Sequence, residues 1–200
     1  MGRHPQPEIR DRLLDGAVHH LVAHGLPVTS LRPLAESLGT SPRMLIYHFG
    51  TKDRLVKAAL VEARRRQLEL FRRALRHRPE EDYAVTLAAA WRTLAGPEAE
   101  GYVRLFGTVH GLPASDVPWP DFPAMAVHDW LPHLEAGLRA GGHPDPAASA
   151  TLVLAVLRGL LLDRRATGEH ERVDAAFAEL TRLLDRALGR ALDPPGGRGL

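Results

Sequence analysis

The sequence predicts an all-α protein of about nine helices, and three features of the chain lead to that fold class. No segment alternates apolar and polar residues for long enough to form a half-buried strand. Apolar residues instead recur at helical spacing. From Ile9 to Leu21, for example, every fourth residue is apolar. Glycine, proline and capping residues stand between the periodic stretches, where helices begin and end.

Three helices are predicted in the N-terminal domain, which covers residues 7–52. The first ends at Gly25, because glycine commonly follows the last helical residue. Ser30 can cap a second helix that ends at Gly39. Ser41 can cap a third helix that ends at Gly50, with a proline at the first helical position, where no backbone N–H is needed.

The rest of the chain is predicted to form a helical body at residues 53–192, followed by a disordered tail at 193–200. Thr51 can cap a fourth helix that runs to about Arg78. Further helices are predicted at Glu80–Ala95, Pro97–Val109, Ala124–Ala140, Asp145–Thr167 and Glu171–Leu192.

Charge is distributed unevenly along the chain. Residues 1–78 hold 15 Lys and Arg against 7 Asp and Glu, whereas residues 79–200 hold 11 basic and 17 acidic residues. The first part therefore carries +8 and the remainder −6, which sum to the net +2. This asymmetry predicts that the first third meets a polyanion. A solvated arginine-rich face on the fourth helix, at 64–66 and beyond, is the alternative explanation.

Several classes of protein are disfavoured by composition. Cysteine is absent, so disulfides and thiolate chemistry are excluded. The chain lacks the HExxH, GxSxG and glycine-rich phosphate-binding motifs, and we expect no catalytic residues, metal site or cofactor. The most apolar stretch, Leu152–Leu162, is too short to span a bilayer. The first residues lack the apolar run of a signal peptide. These features predict a cytoplasmic protein that is not an enzyme.

Residues 30–52 have the pattern of a helix-turn-helix, whose second helix can enter the major groove of DNA. At about 100° per residue, Leu45 and Phe49 share the inward face of the third helix, and Ile46 flanks them. A helical hairpin inside a core would show the same periodicity.

The opposite face of the third helix carries Arg43, Met44 and Tyr47, with His48 on the boundary. Arg43 can donate to a guanine, and Met44 can contact a thymine methyl group. The helix N-terminus at Ser41 adds backbone N–H groups that can bind a phosphate. The face is therefore suited to reading DNA.

Residues 29–43 and 45–55 resemble the DNA-binding domain of TetR/AcrR-type transcriptional regulators, and residues 9–17 fit the first helix of that domain. The most specific element is Tyr-His-Phe-x-x-Lys at residues 47–52. The resemblance covers roughly residues 9–60. Beyond it, the chain matches the family in length and helical character.

The resemblance implies a set of DNA-binding residues. They are Ser30, Arg32, Thr40, Ser41, Pro42, Arg43, Met44, Tyr47, His48 and Lys52. Ser30 and Lys52 would bind phosphates, and His48 would contact a phosphate or brace the helix. Arg43 stands where the family usually has glycine and Met44 where it has a small polar residue, so the operator preference does not carry over. Ile46 replaces a common aromatic residue, which removes one phosphate contact that the family implies.

The family also implies a small-molecule sensor in the helical body. Candidate pocket residues are Trp91, Tyr102, Phe106, His110, Trp119 and Trp130. They could line a mostly apolar pocket with a few polar anchors. An ordinary aromatic core is the alternative for each of them.

The last two predicted helices carry a candidate dimer interface. Its residues are Leu157, Leu161, Val173, Phe177, Leu180 and Leu184. In the resembled family these helices pair with their symmetry mates. The same stripe could instead form an internal core, and the sequence leaves open whether the two helices pair within or between chains.

Together these features predict a homodimeric, sequence-specific DNA-binding transcriptional regulator, a repressor that a small-molecule ligand releases from a pseudo-palindromic operator in double-stranded DNA. No membrane partner is expected. The alternatives are a helical small-molecule-binding protein and an all-α enzyme, both without DNA binding. Neither alternative explains the N-terminal charge or the Tyr-His-Phe-x-x-Lys element.

Overall fold

The computed structural model describes residues 7–26, 30–75, 82–113 and 117–192, and all regular structure within those ranges is helical. The ten helices are α1 (Pro7–His24), α2 (Arg32–Ser37), α3 (Pro42–Phe49), α4 (Lys52–Ala74), α5 (Tyr83–Leu94), α6 (Pro97–Gly111), α7 (Asp121–His128), α8 (Leu131–Ala140), α9 (Pro146–Thr167) and α10 (His170–Leu192). The predicted all-α fold class is confirmed. The tail at 193–200 and the predicted end of the fourth helix at Arg78 lie outside the described residues.

Local capping signals place the ends of the N-terminal helices as predicted. The Ser41 hydroxyl accepts a hydrogen bond from the Met44 backbone N–H at 3.3 Å and begins α3. Thr51 accepts one from the Arg54 N–H at 3.1 Å and begins α4. Gly50 follows α3 with a φ of +83°, a left-handed conformation that a residue with a Cβ rarely adopts.

One predicted helix, Ala124–Ala140, is wrong as a single element. The chain forms α7 up to His128 and restarts α8 at Leu131. Pro132 would lack a backbone N–H inside a continuous helix, and its ring would clash with the carbonyl four residues earlier. The break therefore falls just before this proline, and the described residues form ten helices instead of about nine.

The described residues divide into two compact units, and the first contains those of Met1–Gln67 and Glu100–Ala126. Its core combines α1, α2 and α3 with side chains from α4, α6 and α7. Leu21, Leu45 and Leu105 are fully buried in it, and each contributes about 1.5–3 kcal/mol of burial free energy. The predicted functional boundary after residue 52 stays a prediction.

Within the first unit, α6 lies close against the end of α1. The Arg104 guanidinium donates to the carbonyls of Val22 at 2.8 Å and Ala23 at 2.7 Å. These carbonyls belong to the last turn of α1, where intrahelical partners are missing. A Cβ on Gly101 would lie 2.8 Å from the Val22 carbonyl oxygen, so this close approach requires glycine.

The second unit contains the described residues of Leu68–Ala99 and Val127–Leu200. In this unit α9 packs against α8 and α10, and α5 packs against α10. Trp91 stacks on Phe177 with 4.9 Å between ring centroids, and its indole N–H donates to Asp174 at 2.8 Å. The Tyr83 hydroxyl donates to the Leu134 carbonyl at 3.3 Å, and burial raises the pKa of that hydroxyl.

An ion-pair network joins α1 to α4 in the first unit. The Arg66 guanidinium lies 2.7 Å from an Asp15 carboxylate oxygen and 2.9 Å from one of Glu62. Arg65 donates to the same Glu62 carboxylate at 2.8 Å. Hydrogen bonds from Arg65 and, less strongly, from Arg66 lower the pKa of Glu62 from 4.5 to about 2 against the opposing effect of burial.

Glu62→Gln should therefore lower the free energy of unfolding by about 1 kcal/mol at neutral pH. Because the pKa of Glu62 is lower in the folded state, its contribution is complete above about pH 4.5 and is lost as the pH falls towards 2. Urea unfolding at several pH values measures the difference between variant and wild type. Glu69→Gln is the control, because Glu69 is half exposed and its carboxylate lies 3.8 Å from Arg73. A Glu62→Gln effect that is unchanged at pH 2 would contradict the assignment.

Candidate nucleic-acid interface

The helix-turn-helix is built from α2 and α3, which pack against each other and against α1. Leu31 is the N-cap of α2, one residue later than predicted. Ser30 still contributes, because its hydroxyl accepts a hydrogen bond from the Arg32 backbone N–H at 3.1 Å. The expected capping residue therefore supports the first turn of α2 from just outside the helix.

The inward face of α3 consists of Leu45, His48 and Phe49. His48, which the sequence placed on the boundary, is buried, and Ile46, which it placed inward, is 37% exposed. The reason is geometric. At about 100° per residue, His48 and Phe49 lie about 60° and 40° from Leu45 around the helix, whereas Ile46 lies about 100° away. The buried side of α3 therefore spans His48, Leu45 and Phe49 and ends before Ile46.

Ring contacts surround the buried side of α3. From α1, the Arg10 guanidinium lies over the Phe49 ring, 5.0 Å from its centroid. The His48 ring meets the Tyr47 ring edge-on at 5.1 Å. His48 Nδ1 is buried and has no hydrogen-bond partner among the described residues. Of the two roles predicted for His48, this burial favours bracing the helix over binding a phosphate.

The other predicted DNA-binding residues lie at or near the surface of the first unit. Seven are exposed, namely Ser30, Arg32, Ser41, Pro42, Arg43, Met44 and Tyr47. Thr40 and Lys52 are half-buried. Arg43, Met44 and Tyr47 share the outward face of α3, with Met44 42% and Tyr47 49% exposed. The structure therefore places on one surface the three side chains that were predicted to face outwards, and DNA binding by all ten residues stays a prediction.

The arginine cluster at 64–66 differs from the solvated face considered in the sequence analysis. Arg64 is only 3% exposed, donates to the Gln67 side-chain oxygen at 2.7 Å and to the Ala126 carbonyl, and lies over the Phe106 ring. Arg65 and Arg66 pair with Glu62. Part of the N-terminal positive charge thus stabilises the fold. The net +8 already balances Glu62 against the arginines, but the buried Arg64 is one of its cations that a polyanion would not meet directly.

The six predicted pocket residues do not all fall in one unit. Tyr102, Phe106, His110 and Trp119 belong to the first unit, and Trp91 and Trp130 belong to the second. Phe106, Trp91 and Trp130 are buried in apolar cores. Their role as ligand contacts stays a prediction.

Of the six, Trp119 has the environment that best fits a ligand contact. Its ring is 4% exposed and meets Phe122 edge-on at 5.9 Å, and Phe122 in turn stacks with Phe106 at 6.1 Å. The buried indole N–H of Trp119 has no hydrogen-bond acceptor among the described residues. A buried donor of this kind is costly unless an acceptor reaches it.

The predicted dimer-interface residues are all buried within the single chain, where α9 packs against α10. This is the internal core that the sequence left open as an alternative, and a contact between chains by these residues stays untested. The exposed leucines are different ones. On α9 they are Leu152 and Leu162, and on α10 Leu183, each more than half exposed. The signal in the sequence was that α9 is apolar nearly all round, which requires two covered faces.

Helix α9 is also the one described helix that is long and apolar enough, by length and composition alone, to cross a membrane. The apolar stretch Leu152–Leu162 lies at the centre of α9. Small residues before it make the whole apolar segment longer than those eleven residues. Apolar helices in protein interiors and interfaces pass the same test, so the property is weak support for a membrane span.

Residues 13–59 match the family of bacterial regulatory proteins known as the tetR family. The match spans α1 from Leu13, α2, α3 and the first two turns of α4. It thus contains the whole helix-turn-helix. No curated protein has a sequence that matches this chain.

Solved structures share the fold over nearly the whole chain. A transcriptional regulator from Rhodococcus sp. Rha1 is 24% identical with a TM-score of 0.66, covering 90% of this chain and 94% of its own. The multidrug binding protein EbrR, complexed with imidazole, is 25% identical with a TM-score of 0.61 and coverages of 90% and 93%. The transcriptional regulator FadR from Bacillus subtilis, in complex with stearoyl-CoA, is 14% identical with a TM-score of 0.65 and coverages of 87% and 96%.

Proposed function

We propose that this chain, which belongs to the TetR family of bacterial regulatory proteins, is a homodimeric repressor that a small molecule releases from its operator. The observation that carries the proposal is the outward face of α3, where Arg43, Met44 and Tyr47 are exposed together on the second helix of a helix-turn-helix. The enzyme and ligand-carrier alternatives give this face no task.

Some residues would read the DNA bases, and others would bind the phosphate backbone and position the protein. Arg43 is exposed near the N-terminus of α3 and can donate two hydrogen bonds to a guanine. Ser41 is exposed at the N-cap of α3, where its hydroxyl and the helix N-terminus could contact a phosphate, and Lys52 begins α4 just after the end of α3. In a two-fold symmetric dimer, the two α3 helices would lie about 34–36 Å apart and read successive major grooves of a pseudo-palindrome.

Dimerisation would use the outward faces of α9 and α10. Leu152, Leu162 and Leu183 are exposed in the single chain, and exposed apolar side chains on neighbouring helices commonly mark an interface. Covering them with a second copy also explains why α9 is apolar on both of its sides. The stripe of α10 that includes Phe177 would then support the interface from within the chain.

Sensing would use the aromatic cluster of the first unit. The buried Trp119 indole N–H is a ready donor for a ligand oxygen, and Phe106 and Phe122 offer an apolar surface beside it. Two proteins that share the fold were solved with small molecules bound, which supports a ligand site in this chain as well. Because Arg104 holds α6 against the end of α1, a ligand that displaces α6 would also move the helix-turn-helix.

Arg43→Ala should weaken operator binding by about 1–3 kcal/mol and relax selectivity at one base position in each half-site. Lys52→Ala should instead weaken binding to all sequences almost equally and lower the salt dependence by about one unit per subunit. Operators selected from random duplexes and salt-titrated gel-shift assays measure both effects. Unchanged affinity and unchanged selectivity for Arg43→Ala would refute its assignment.

The double variant Leu162→Glu with Leu183→Glu should remain folded but become monomeric and bind the operator much more weakly, since a buried charge without a partner is costly. Sedimentation and circular dichroism on the same sample give the oligomeric state and the fold. Val85→Glu is the matched control, because Val85 is an exposed apolar residue on α5. Phe177→Glu should unfold the chain, because Phe177 is buried against Trp91. A double variant that stays a stable dimer would place the interface elsewhere.

A ligand that raises the melting temperature should weaken operator binding by about 5–150-fold, and operator DNA should weaken ligand binding by the same factor. A thermal-shift library that includes stearoyl-CoA provides candidates. Trp119→Phe removes only the indole donor and extra ring, and it should reduce the ligand response while operator affinity stays near wild type. The sensing proposal fails if no compound both binds and changes DNA affinity, because equal affinity for both states shifts nothing.

A further inference from the structure

We propose that Ile46 and Met44 read thymine methyl groups on the two sides of the guanine contacted by Arg43, so that each operator half-site carries a guanine flanked by thymines on one strand or the other. The inference rests on the proposed function and makes it specific. It follows from the exposure of Ile46, which the sequence had placed in the core.

The exposed face of α3 has a definite order around the helix. Taking about 100° per residue, Arg43 lies near the centre, with Ile46 about 60° to one side. Tyr47 and Met44 lie about 40° and 100° to the other side. The single cation is therefore bordered on both sides by apolar side chains.

Exposed apolar side chains are concentrated on α3. Three of the eight large hydrophobic residues that are exposed in the described part of the chain, Met44, Ile46 and Tyr47, lie on this eight-residue helix. Their fractional exposures are 42%, 37% and 49%, whereas the opposite face of α3 is buried. A solvated face would carry polar residues at these positions, so the apolar side chains indicate a partner surface.

The chemistry of the groove identifies what these side chains contact. Ile46 has no side-chain donor or acceptor, so it can contribute only apolar contact. In the major groove, the apolar group presented by the base pairs is the thymine C5 methyl, and the other edges present donors and acceptors. An isoleucine at this exposed position therefore favours contact with a methyl group.

The experiment removes one methyl group from the DNA and one side chain from the protein. An operator selected from random duplexes is resynthesised with deoxyuridine in place of single thymines, which removes only the C5 methyl. At a contacted position, wild type should bind about fourfold more weakly, as expected for one buried methyl group at about 0.8 kcal/mol. Ile46→Ala should lose this sensitivity at one position, and Met44→Ala should lose it at a position on the other side of the guanine. Fluorescence anisotropy gives each dissociation constant.

Controls separate the contact from general weakening. Val61→Ala changes an exposed apolar residue on α4, outside α3, and should keep the full sensitivity to deoxyuridine. Alanine is a better helix former than isoleucine, so Ile46→Ala should keep α3 folded, as circular dichroism would show. Equal losses from deoxyuridine in wild type and in Ile46→Ala would overturn the inference.

The outcomes also distinguish this inference from the proposed function. An operator that is bound selectively but carries no thymine beside the guanine would overturn the inference and leave the repressor proposal intact. If selection yields no sequence preference at all, the proposed function itself fails, and the inference fails with it.

Discussion

The burial of one side of α3 is the constraint on which the proposed reading surface, formed by Arg43, Met44 and Tyr47, depends. A helix of eight residues is too short to be stable alone in water. It exists because Leu45 is fully buried against α1 and α2 and because Phe49 is held under the Arg10 guanidinium. Burying these side chains also fixes the rotation of the helix about its axis. Arg43 therefore has a defined outward direction before any DNA is present, which reduces the entropy lost on binding.

The same core connects the proposed reading surface to the region proposed for sensing. Leu105, Phe106 and Trp119 belong to one apolar cluster with the buried residues of α1 to α4. Arg104 adds a polar contact by capping the last carbonyls of α1. Interiors of this density transmit small displacements because side chains cannot absorb them in empty space. A domain boundary defined by function and a unit defined by packing therefore need not coincide in this chain.

Charge serves two purposes in the first unit. Arg43 faces solvent, where its guanidinium is available to a base edge. Arg64 and Arg66 instead hold helices together, the first by donating to neutral oxygens in the core and the second by joining Glu62 to Asp15. Such roles are assigned by burial and by partners. Net charge alone indicated a polyanion partner without showing which arginines would meet it.

Local chemistry in the sequence determined the boundaries of most helices and the helix-turn-helix itself. Ser41, Thr51 and Gly50 act on backbone groups within a few residues, so their effects can be derived without the fold. The tertiary structure alone decided which borderline side chains are covered. Ile46 is exposed because the buried side of α3 runs from His48 to Phe49 and does not reach it, and Arg64 is buried because Phe106 of α6 and the Ala126 carbonyl of α7 contact it. Leu161 and Phe177 are buried within the chain because α10 packs against α9 and α5. Each of these outcomes depends on residues distant in sequence, which periodicity along a single helix does not contain.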